Sequence, residues 1–145
     1  MLINKHEDPI GSALLDFYQT SEDTNIQVEM DIAEKDTLAP SYFFRSFDEC
    51  PQLERVALQQ ASGKVLDVGA GAGSHSLYLQ QNGMDVTAID VSPHSVSVMQ
   101  KRGLSKVKLA DFFEFNEGAF DTLLFLMNGI GLVKTLDGFD AFFKK

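Results

Sequence analysis

Residues 65–73 read Val-Leu-Asp-Val-Gly-Ala-Gly-Ala-Gly, a short apolar strand with one acidic side chain that runs into three glycines at alternate positions. Gly69 can adopt a positive φ without a Cβ clash, and Gly71 and Gly73 leave room for a ligand against bare backbone. The segment from Ser74 to Leu79 is predicted to begin a helix, so its free N–H groups point into the same gap. A strand, a glycine turn and a helix in this order indicate the nucleotide-binding edge of a doubly wound α/β sheet.

The spacing of the glycines discriminates between classes of nucleotide. A dinucleotide fingerprint needs glycine at its first, third and sixth positions. The sixth position is Ser74 when counted from Gly69 and Ser76 when counted from Gly71. From residue 65 to residue 92 there is no Lys or Arg, which disfavours a pyrophosphate and favours a positively charged ligand. The acidic residues of this segment are Asp67, Asp85 and Asp90. An ordinary tight turn is the alternative for the glycines alone.

A second strand is predicted over residues 84–89, where β-branched and apolar residues alternate and run into Asp90. Ser92 can cap the following helix, with Pro93 at its first position. Asp90 therefore ends a strand about 20 residues after Gly69, where a carboxylate can accept hydrogen bonds from both ribose hydroxyls. An acidic residue in an ordinary strand–helix loop is the alternative, and the ribose role by itself does not choose the cofactor.

The series Asp67-x-Gly69-x-Gly71-x-Gly73, followed by Asp90, resembles the first motifs of class I S-adenosylmethionine-dependent methyltransferases. The resemblance implies that the glycine turn lies at the methionine end of S-adenosylmethionine, with Asp67 near its ammonium group. A third strand, residues 106–110, leads into Asp111, and the family resemblance implies that Asp111 and the adjacent Phe112 hold the adenine. The expected cofactor-binding residues are Asp67, Gly69, Ala70, Gly71, Gly73, Asp90, Val91, Asp111, Phe112 and Asn128.

A fourth strand is predicted over residues 120–127, a nearly continuous apolar run such as a strand buried on both faces shows. In class I enzymes this strand ends opposite the transferred methyl group, so Asn128 is expected to line the reaction site. The sequence after it lacks the Asn-Pro-Pro-aromatic motif of methyltransferases that modify nucleic-acid bases. The net charge of −9 also disfavours a nucleic-acid partner, which usually requires a basic face.

The expected fold is α/β: a Rossmann-like doubly wound parallel sheet in the order 3-2-1-4, incomplete, with an N-terminal helical cap. We expect residues 1–63 to form the cap or lid and residues 64–145 the cofactor-binding core. Helices are predicted to begin at Pro9, at Pro40 and at Pro51, with a half-buried strand or extended lid segment over residues 26–32. The side chains predicted to face inward are Ile10, Leu14, Phe17 and Tyr18 on the first helix, and Leu53, Val56, Ala57 and Ala61 on the third.

Four further side chains have a functional and a packing interpretation at the level of sequence. Tyr42 and Arg45 can close over the cofactor, with Arg45 paired to a carboxylate of cofactor or substrate. The alternative is an aromatic cluster that packs the cap on the sheet, with Arg45 in solvent. His75 can approach the cofactor or lie on a helix surface, and Phe113 is expected to pack in the core.

Composition points to a globular cytoplasmic protein. Of the residues, 44% are hydrophobic, no apolar run reaches the length of a membrane span, and no secretory signal precedes the first helix. The single cysteine, Cys50, fits a reducing compartment. The three histidines, His6, His75 and His94, lack metal-ligand spacing, so no metal is expected.

Family resemblance also implies three more strands than this sequence supplies, so the chain is expected to be a cofactor-binding fragment. The fourth strand would then have an open edge, through which two copies are expected to pair. The apolar side chains expected to lack cover are Phe125, Leu126, Phe139, Phe142 and Phe143. The predicted activity is methyl transfer to a small-molecule or protein acceptor, with unknown catalytic residues. The alternatives are a non-catalytic binding module and, more distantly, a nicotinamide-dependent oxidoreductase.

Overall fold

The centre of the molecule is a parallel four-stranded sheet. The computed structural model describes residues 1–30, 33–127 and 129–145, excluding the side chains of residues 30, 33 and 34. An antiparallel hairpin precedes the sheet and consists of β1 (Ile26–Met30) and β2 (Ala33–Leu38). The strands of the sheet are β3 (Lys64–Val68), β4 (Asp85–Asp90), β5 (Val107–Leu109) and β6 (Thr122–Leu124). Their order is β5-β4-β3-β6, which confirms the predicted order 3-2-1-4.

Successive residues of the strands point to opposite faces of this sheet, and the helices that follow its first two strands pack on the same face. On β3, Val65 packs with Leu79 of one face, whereas Leu66 packs with Phe112 and Phe115 of the other. The helices that follow the first two strands of the sheet are α3 (Ser74–Gln81) and α4 (Pro93–Lys101). As predicted, Ser92 caps α4 by accepting a hydrogen bond from the Ser95 amide.

The N-terminal cap begins with α1 (Pro9–Thr20), whose first turn is capped by the buried carboxylate of Asp8. Leu14 of α1 is buried against Val98 of α4, as the sequence predicted. The prediction was wrong for Ile10 and Tyr18, which are exposed. The predicted half-buried strand forms β1 of the hairpin, and its last residues, 31 and 32, lie outside the described residues.

A short 3-10 segment, Pro40–Phe44, and another, Phe47–Glu49, lead to α2 (Gln52–Gln60). The predicted inward face of α2 was wrong for Leu53 and Val56, which are 81% and 44% exposed, whereas Ala57 is half-buried and Ala61 packs against the core. Leu58 is buried instead, and Glu54 lies on the same inward side. The helix can bury this carboxylate because an arginine and a histidine from other elements donate hydrogen bonds to it.

After β6 the chain forms a 3-10 segment, Gly129–Val133, and a short helix, α5 (Gly138–Phe143). Phe142 packs on Phe125 with ring centroids 5.1 Å apart, so part of the apolar surface expected to lack cover is covered by the chain itself. Phe143 remains exposed. Within the described ranges, every helix is too short or too polar to cross a membrane.

Candidate cofactor-binding site

A cavity of about 420 Å³ opens at the carboxyl ends of β3, β4 and β5. Its size falls within the usual range for small-molecule sites, about 300–1,000 Å³. The cavity wall at Val68 and Gly69, at the end of β3, adjoins the point where the strand order reverses between β3 and β6, which is the expected position of a ligand in an open α/β sheet. The predicted site residues that line it are Gly69, Asp90, Val91, Asp111 and Phe112.

The glycine turn is held tightly to the end of β4. The amides of Gly69 and Ala70 both donate to the carbonyl oxygen of Ile89, at 2.9 and 3.2 Å. Gly69, Gly71 and Gly73 all have positive φ angles, of 69°, 58° and 80°. Residues other than glycine rarely adopt a positive φ, so the path of the backbone requires glycine at these three alternate positions.

Side chains of the protein itself pack against part of the glycine turn. A Cβ atom on Gly73 would lie 2.7 Å from Leu104 Cδ1 and 2.8 Å from Met99 Cγ, so this glycine lets α4 pack closely. A Cβ atom on Gly71 would lie 3.5 Å from Phe43 of the cap. At Gly73 the space next to the backbone is thus occupied by side chains, whereas at Gly71 an added Cβ would make only an ordinary van der Waals contact. Gly69 lines the large cavity.

Asp90 is buried at the rim of the cavity and each of its carboxylate oxygens accepts a backbone hydrogen bond. The Gly71 amide donates to Oδ2 at 2.8 Å, and the Ser92 amide donates to Oδ1 at 2.9 Å. Burial raises the pKa of Asp90 to about 6, although these two amide bonds act in the opposite direction. Because a carboxylate oxygen can accept more than one hydrogen bond, Asp90 can still receive two hydroxyl donors from a ligand.

Asp111 and the two aromatic residues after it lie at the end of β5. The Phe113 amide donates to Asp111 Oδ1 at 2.8 Å, and the amino group of Met1 contacts Oδ2. The hydrogen bond from that amino group is the main reason why the pKa of Asp111 is lowered. Phe112 is buried in the core and also reaches the cavity. The expectation that Phe113 packs in the core was wrong, since it is 37% exposed and lines the cavity.

The remaining predicted site residues lie elsewhere. Asp67 is buried and accepts a hydrogen bond from Ser76 Oγ at 2.7 Å, which joins β3 to α3. Burial raises the pKa of Asp67, against the effect of the nearby His75 and of the Ser76 hydroxyl. A role for Asp67 near an ammonium group stays a prediction. Asn128 falls outside the described residues. Leu132 and Val133 also line the large cavity and were not predicted from the sequence.

A second, much smaller cavity of about 20 Å³ lies at the other side of the glycine turn. Arg45 reaches it from the cap, and its guanidinium carbon lies 3.5 Å from the ring centroid of Tyr42. Arg45 Nη2 donates to Glu54 Oε2 at 2.8 Å, and His75 Nε2 donates to the same oxygen at 2.9 Å. The alternative in which Arg45 lies in solvent is wrong, because its side chain is only 10% exposed.

Cys50, Glu54 and His75 place ligand atoms within 4.8 Å of one another. Three such groups resemble a metal donor set. However, the Arg45 guanidinium shares Glu54 Oε2 with His75, and its positive charge disfavours a second cation at that position. This cluster was not predicted, because its members come from α2, α3 and the loop before α2 and have no characteristic spacing along the chain.

Comparison with known proteins identifies the family. Residues 65–144 match the family described as "Methyltransferase domain", so the chain belongs to that family. The match confirms the resemblance that the glycine motif indicated.

Three relatives show how far the likeness extends. The crystal structure of a SAM-dependent methyltransferase from Bacteroides fragilis in complex with S-adenosyl-L-homocysteine is 39% identical, with a TM-score of 0.94 over 99% of this chain and 60% of that one. The 23S rRNA (uracil(747)-C(5))-methyltransferase of Pyrococcus abyssi is 41% identical over 64 residues, 43% of this chain and 16% of that protein. The sugar N-methyltransferase KedS8 from Streptoalloteichus shares the fold, with 21% identity and a TM-score of 0.55 over 81% of this chain and 52% of that one. The chain therefore spans 60% or less of each.

Proposed function

We propose that this chain binds S-adenosylmethionine and forms the cofactor-binding part of a methyltransferase. The observation that carries the proposal is the buried carboxylate of Asp90 beside the glycine turn, at the mouth of a cavity of about 420 Å³. The similar Bacteroides fragilis structure was solved with S-adenosyl-L-homocysteine, which supports the same class of ligand here. When bound, S-adenosylmethionine supplies the methyl group of its sulfonium.

The residues of this chain would bind and orient that cofactor. Asp90 accepts the two ribose hydroxyls, and Asp111 accepts a hydrogen bond from the adenine amino group. Val91 and Phe112 provide apolar contact to the faces of the adenine ring, and the backbone of Gly69 allows close approach beside the sulfonium. The cavity is lined by the carboxylates of Asp90 and Asp111 and also by Met1 and Lys134, so the hydrogen-bond acceptors rather than the net charge of the cavity support this ligand.

The acceptor is proposed to be a small molecule or a protein. The net charge of −9 opposes a polyanionic substrate. One relative is an rRNA methyltransferase, yet this chain corresponds to only 16% of its length. We propose further that residues 1–63 act as a cap beside the acceptor and residues 64–145 hold the cofactor. A cytoplasmic location is proposed from the single cysteine.

Calorimetry tests the cofactor. S-Adenosylhomocysteine and NAD are titrated in parallel into the protein and into two variants of β4, Asp90→Ala and Asp85→Ala. We expect S-adenosylhomocysteine to bind, NAD to bind weakly or not at all, and Asp90→Ala to weaken binding by about 1–3 kcal/mol because a charged acceptor is lost. Asp85 lies at the opposite end of β4, where it pairs with Lys106, so its variant is the matched control. Tight NAD binding without S-adenosylhomocysteine binding would overturn the assignment.

Methyl transfer tests the activity. The protein is incubated with methyl-labelled S-adenosylmethionine and separate small-molecule, protein and RNA fractions. Label in the small-molecule or protein fraction supports the proposal, and label in RNA alone contradicts the proposed acceptor. Cofactor binding without transfer to any fraction would favour a binding module.

A further inference from the structure

We propose that Asp8 of the N-terminal cap is a positioning residue for Asp90, whose carboxylate it holds, through Ser92, in the orientation that accepts the ribose hydroxyls. The inference rests on the proposed function and gives a residue outside the large cavity an influence on the affinity for the cofactor. Three features of the contact between the cap and the start of α4 carry it: a shared carboxylate, a peptide group bound at both ends, and a pair of like charges.

The first feature is the carboxylate of Asp8, which lies between the N-terminal ends of α1 and α4. Its Oδ1 accepts from the Gly11 amide at 2.9 Å and so caps α1, while Oδ2 accepts from Ser92 Oγ at 2.5 Å. A Cβ atom on Gly11 would overlap both the Asp8 carboxylate and Ser92 Oγ, so this close contact requires glycine. Asp8 is only 3% exposed, and the positive ends of both helices favour its ionised form.

The second feature is the peptide group that joins Val91 to Ser92. Its carbonyl oxygen accepts from the Ile3 amide at 3.0 Å, and its N–H donates to Asp90 Oδ1 at 2.9 Å. Because a peptide group is planar, a bond that fixes the carbonyl also fixes the direction of the N–H on the opposite side. The cap therefore holds the group that binds Asp90, through Ile3 on one side and through the bond from Ser92 Oγ to Asp8 on the other.

Ser92 is the residue through which Asp8 acts. Its hydroxyl accepts from the Ser95 amide at 2.9 Å and donates its own proton to Asp8, so Asp8 fixes the direction of the hydroxyl. Ser92 is 4% exposed, and a buried donor that loses its acceptor is costly, which favours a rearrangement of this turn when Asp8 is changed. Such a rearrangement moves the amide that donates to Asp90.

The third feature is the negative charge of Asp8 near Asp90. Burial is the main reason why the pKa of Asp90 is raised, and the charges of Asp8 and Asp67 add to this effect. His94 of α4 also faces Asp8, because its Nδ1 lies 3.3 Å from Asp8 Oδ2 and 3.2 Å from Ser12 Oγ. The charge of Asp8 therefore gives a second readout, which a change in the docking of the cap alone would not move.

A comparison of two ligands tests the inference. S-Adenosylhomocysteine and its analogue in which hydrogen replaces both ribose hydroxyls are titrated into the protein and into Asp8→Asn, which keeps a capping side chain for α1. In the unmodified protein we expect S-adenosylhomocysteine to bind about 10- to 100-fold more tightly than the analogue. Asp8→Asn should reduce this preference about three- to tenfold and leave the affinity for the analogue unchanged, because only the hydroxyls depend on the orientation of Asp90.

A second variant, Ser92→Ala, tests whether Asp8 acts through the Ser92 hydroxyl. Ser92→Ala alone should also reduce the preference, and the addition of Asp8→Asn should reduce it no further, since the two side chains form one contact. Asp16→Asn is the matched control, because Asp16 is an exposed aspartate of the same helix and the change removes the same charge. It should leave the preference unchanged, and thermal unfolding checks that every variant is folded.

The pH dependence of binding gives the second readout. Asp8→Asn removes a negative charge near Asp90, so Asp90 should remain ionised to a lower pH. The affinity for S-adenosylhomocysteine should then begin to fall at a lower pH than in the unmodified protein, whereas Asp16→Asn should not change the profile. The same shift should occur when both proteins also carry His94→Gln, which removes the titration of His94.

The outcomes separate this inference from the proposed function. Equal weakening of both ligands by Asp8→Asn would overturn the inference and leave Asp8 as a link between cap and core. An unchanged preference or an unchanged pH profile in Asp8→Asn would overturn it as well, as would additive effects of Asp8→Asn and Ser92→Ala. In each of these cases the cofactor assignment stands. Failure of the unmodified protein to bind S-adenosylhomocysteine would instead contradict the proposed function.

Discussion

Asp90 shows how a single side chain can be predicted from sequence while its energetics cannot. Its place at the end of a strand after a glycine turn follows from local pattern alone. Its burial, the two amide bonds, and the neighbouring carboxylates of Asp8 and Asp67 depend on the complete fold. Phe113 makes the same point, because its exposure at the cavity beside the buried Phe112 depends on how the chain turns after β5.

The pKa of Asp90 predicts a pH dependence. The folded-state pKa, about 6, lies above the value of about 4 for an unfolded aspartate. The stability that this group contributes is therefore fully present below about pH 4 and is lost as the pH rises through about 6. Hydroxyl donors of a bound ligand favour the ionised form, so ligand affinity changes in the opposite direction.

Calorimetric titration with S-adenosylhomocysteine between about pH 5 and pH 7 measures this effect. We expect the affinity to fall as the pH drops below about 6, by up to about tenfold per unit if the protonated form does not bind. Asp90→Asn should bind weakly and lose this dependence, whereas Asp85→Asn at the exposed end of β4 should retain it. A flat profile in the unmodified protein would show that Asp90 does not titrate against the ligand.

At the scale of elements, the glycine turn and α2 differ in how well sequence predicts them. The turn requires positive φ angles that few residues other than glycine adopt, so it can be predicted from the spacing of its glycines. The prediction for α2 was wrong at Leu53 and Val56 and missed the burial of Glu54, which depends on Arg45 and His75 of other elements. The fourth strand was also predicted too long, since only Thr122–Leu124 pairs with β3.

Gly73 gives a prediction about the packing of the turn. Gly73→Ala should lower the free energy of unfolding by about 1–3 kcal/mol, through both backbone strain and contact with Met99 and Leu104. Gly83→Ala is the matched control, because its φ of 79° is similar and nothing lies within 4 Å of the added Cβ. Urea unfolding measures both variants. Equal losses would show that the contact with α4 adds nothing to the backbone cost.

For the whole molecule, the sheet order was predictable because parallel strands joined by right-handed crossovers leave few alternatives. The β1–β2 hairpin was not predicted, since pairing depends on a return strand, residues 33–38, that carries little apolar alternation. The family resemblance and the fold agree, and the cap is the part of the molecule where the sequence was least informative.

The exposed edge of β6 predicts self-association of this chain. Leu123 is 47% exposed on that edge, and β6 pairs only with β3 among the described strands. Sedimentation should detect concentration-dependent dimers that Leu123→Lys reduces. Val56→Lys, at a similarly exposed apolar position on α2, should leave the association unchanged. A monomer at every concentration would show that this edge does not pair two copies.

A crystal structure of the chain with S-adenosylhomocysteine tests the central claim most directly. It should show the adenosine in the cavity at the ends of β3, β4 and β5, with both ribose hydroxyls within hydrogen-bond distance of the Asp90 carboxylate. The methionine part should lie along the turn of Gly69 and Ala70. Density for the ligand at any other edge of the sheet, or a ribose that does not contact Asp90, would contradict the account.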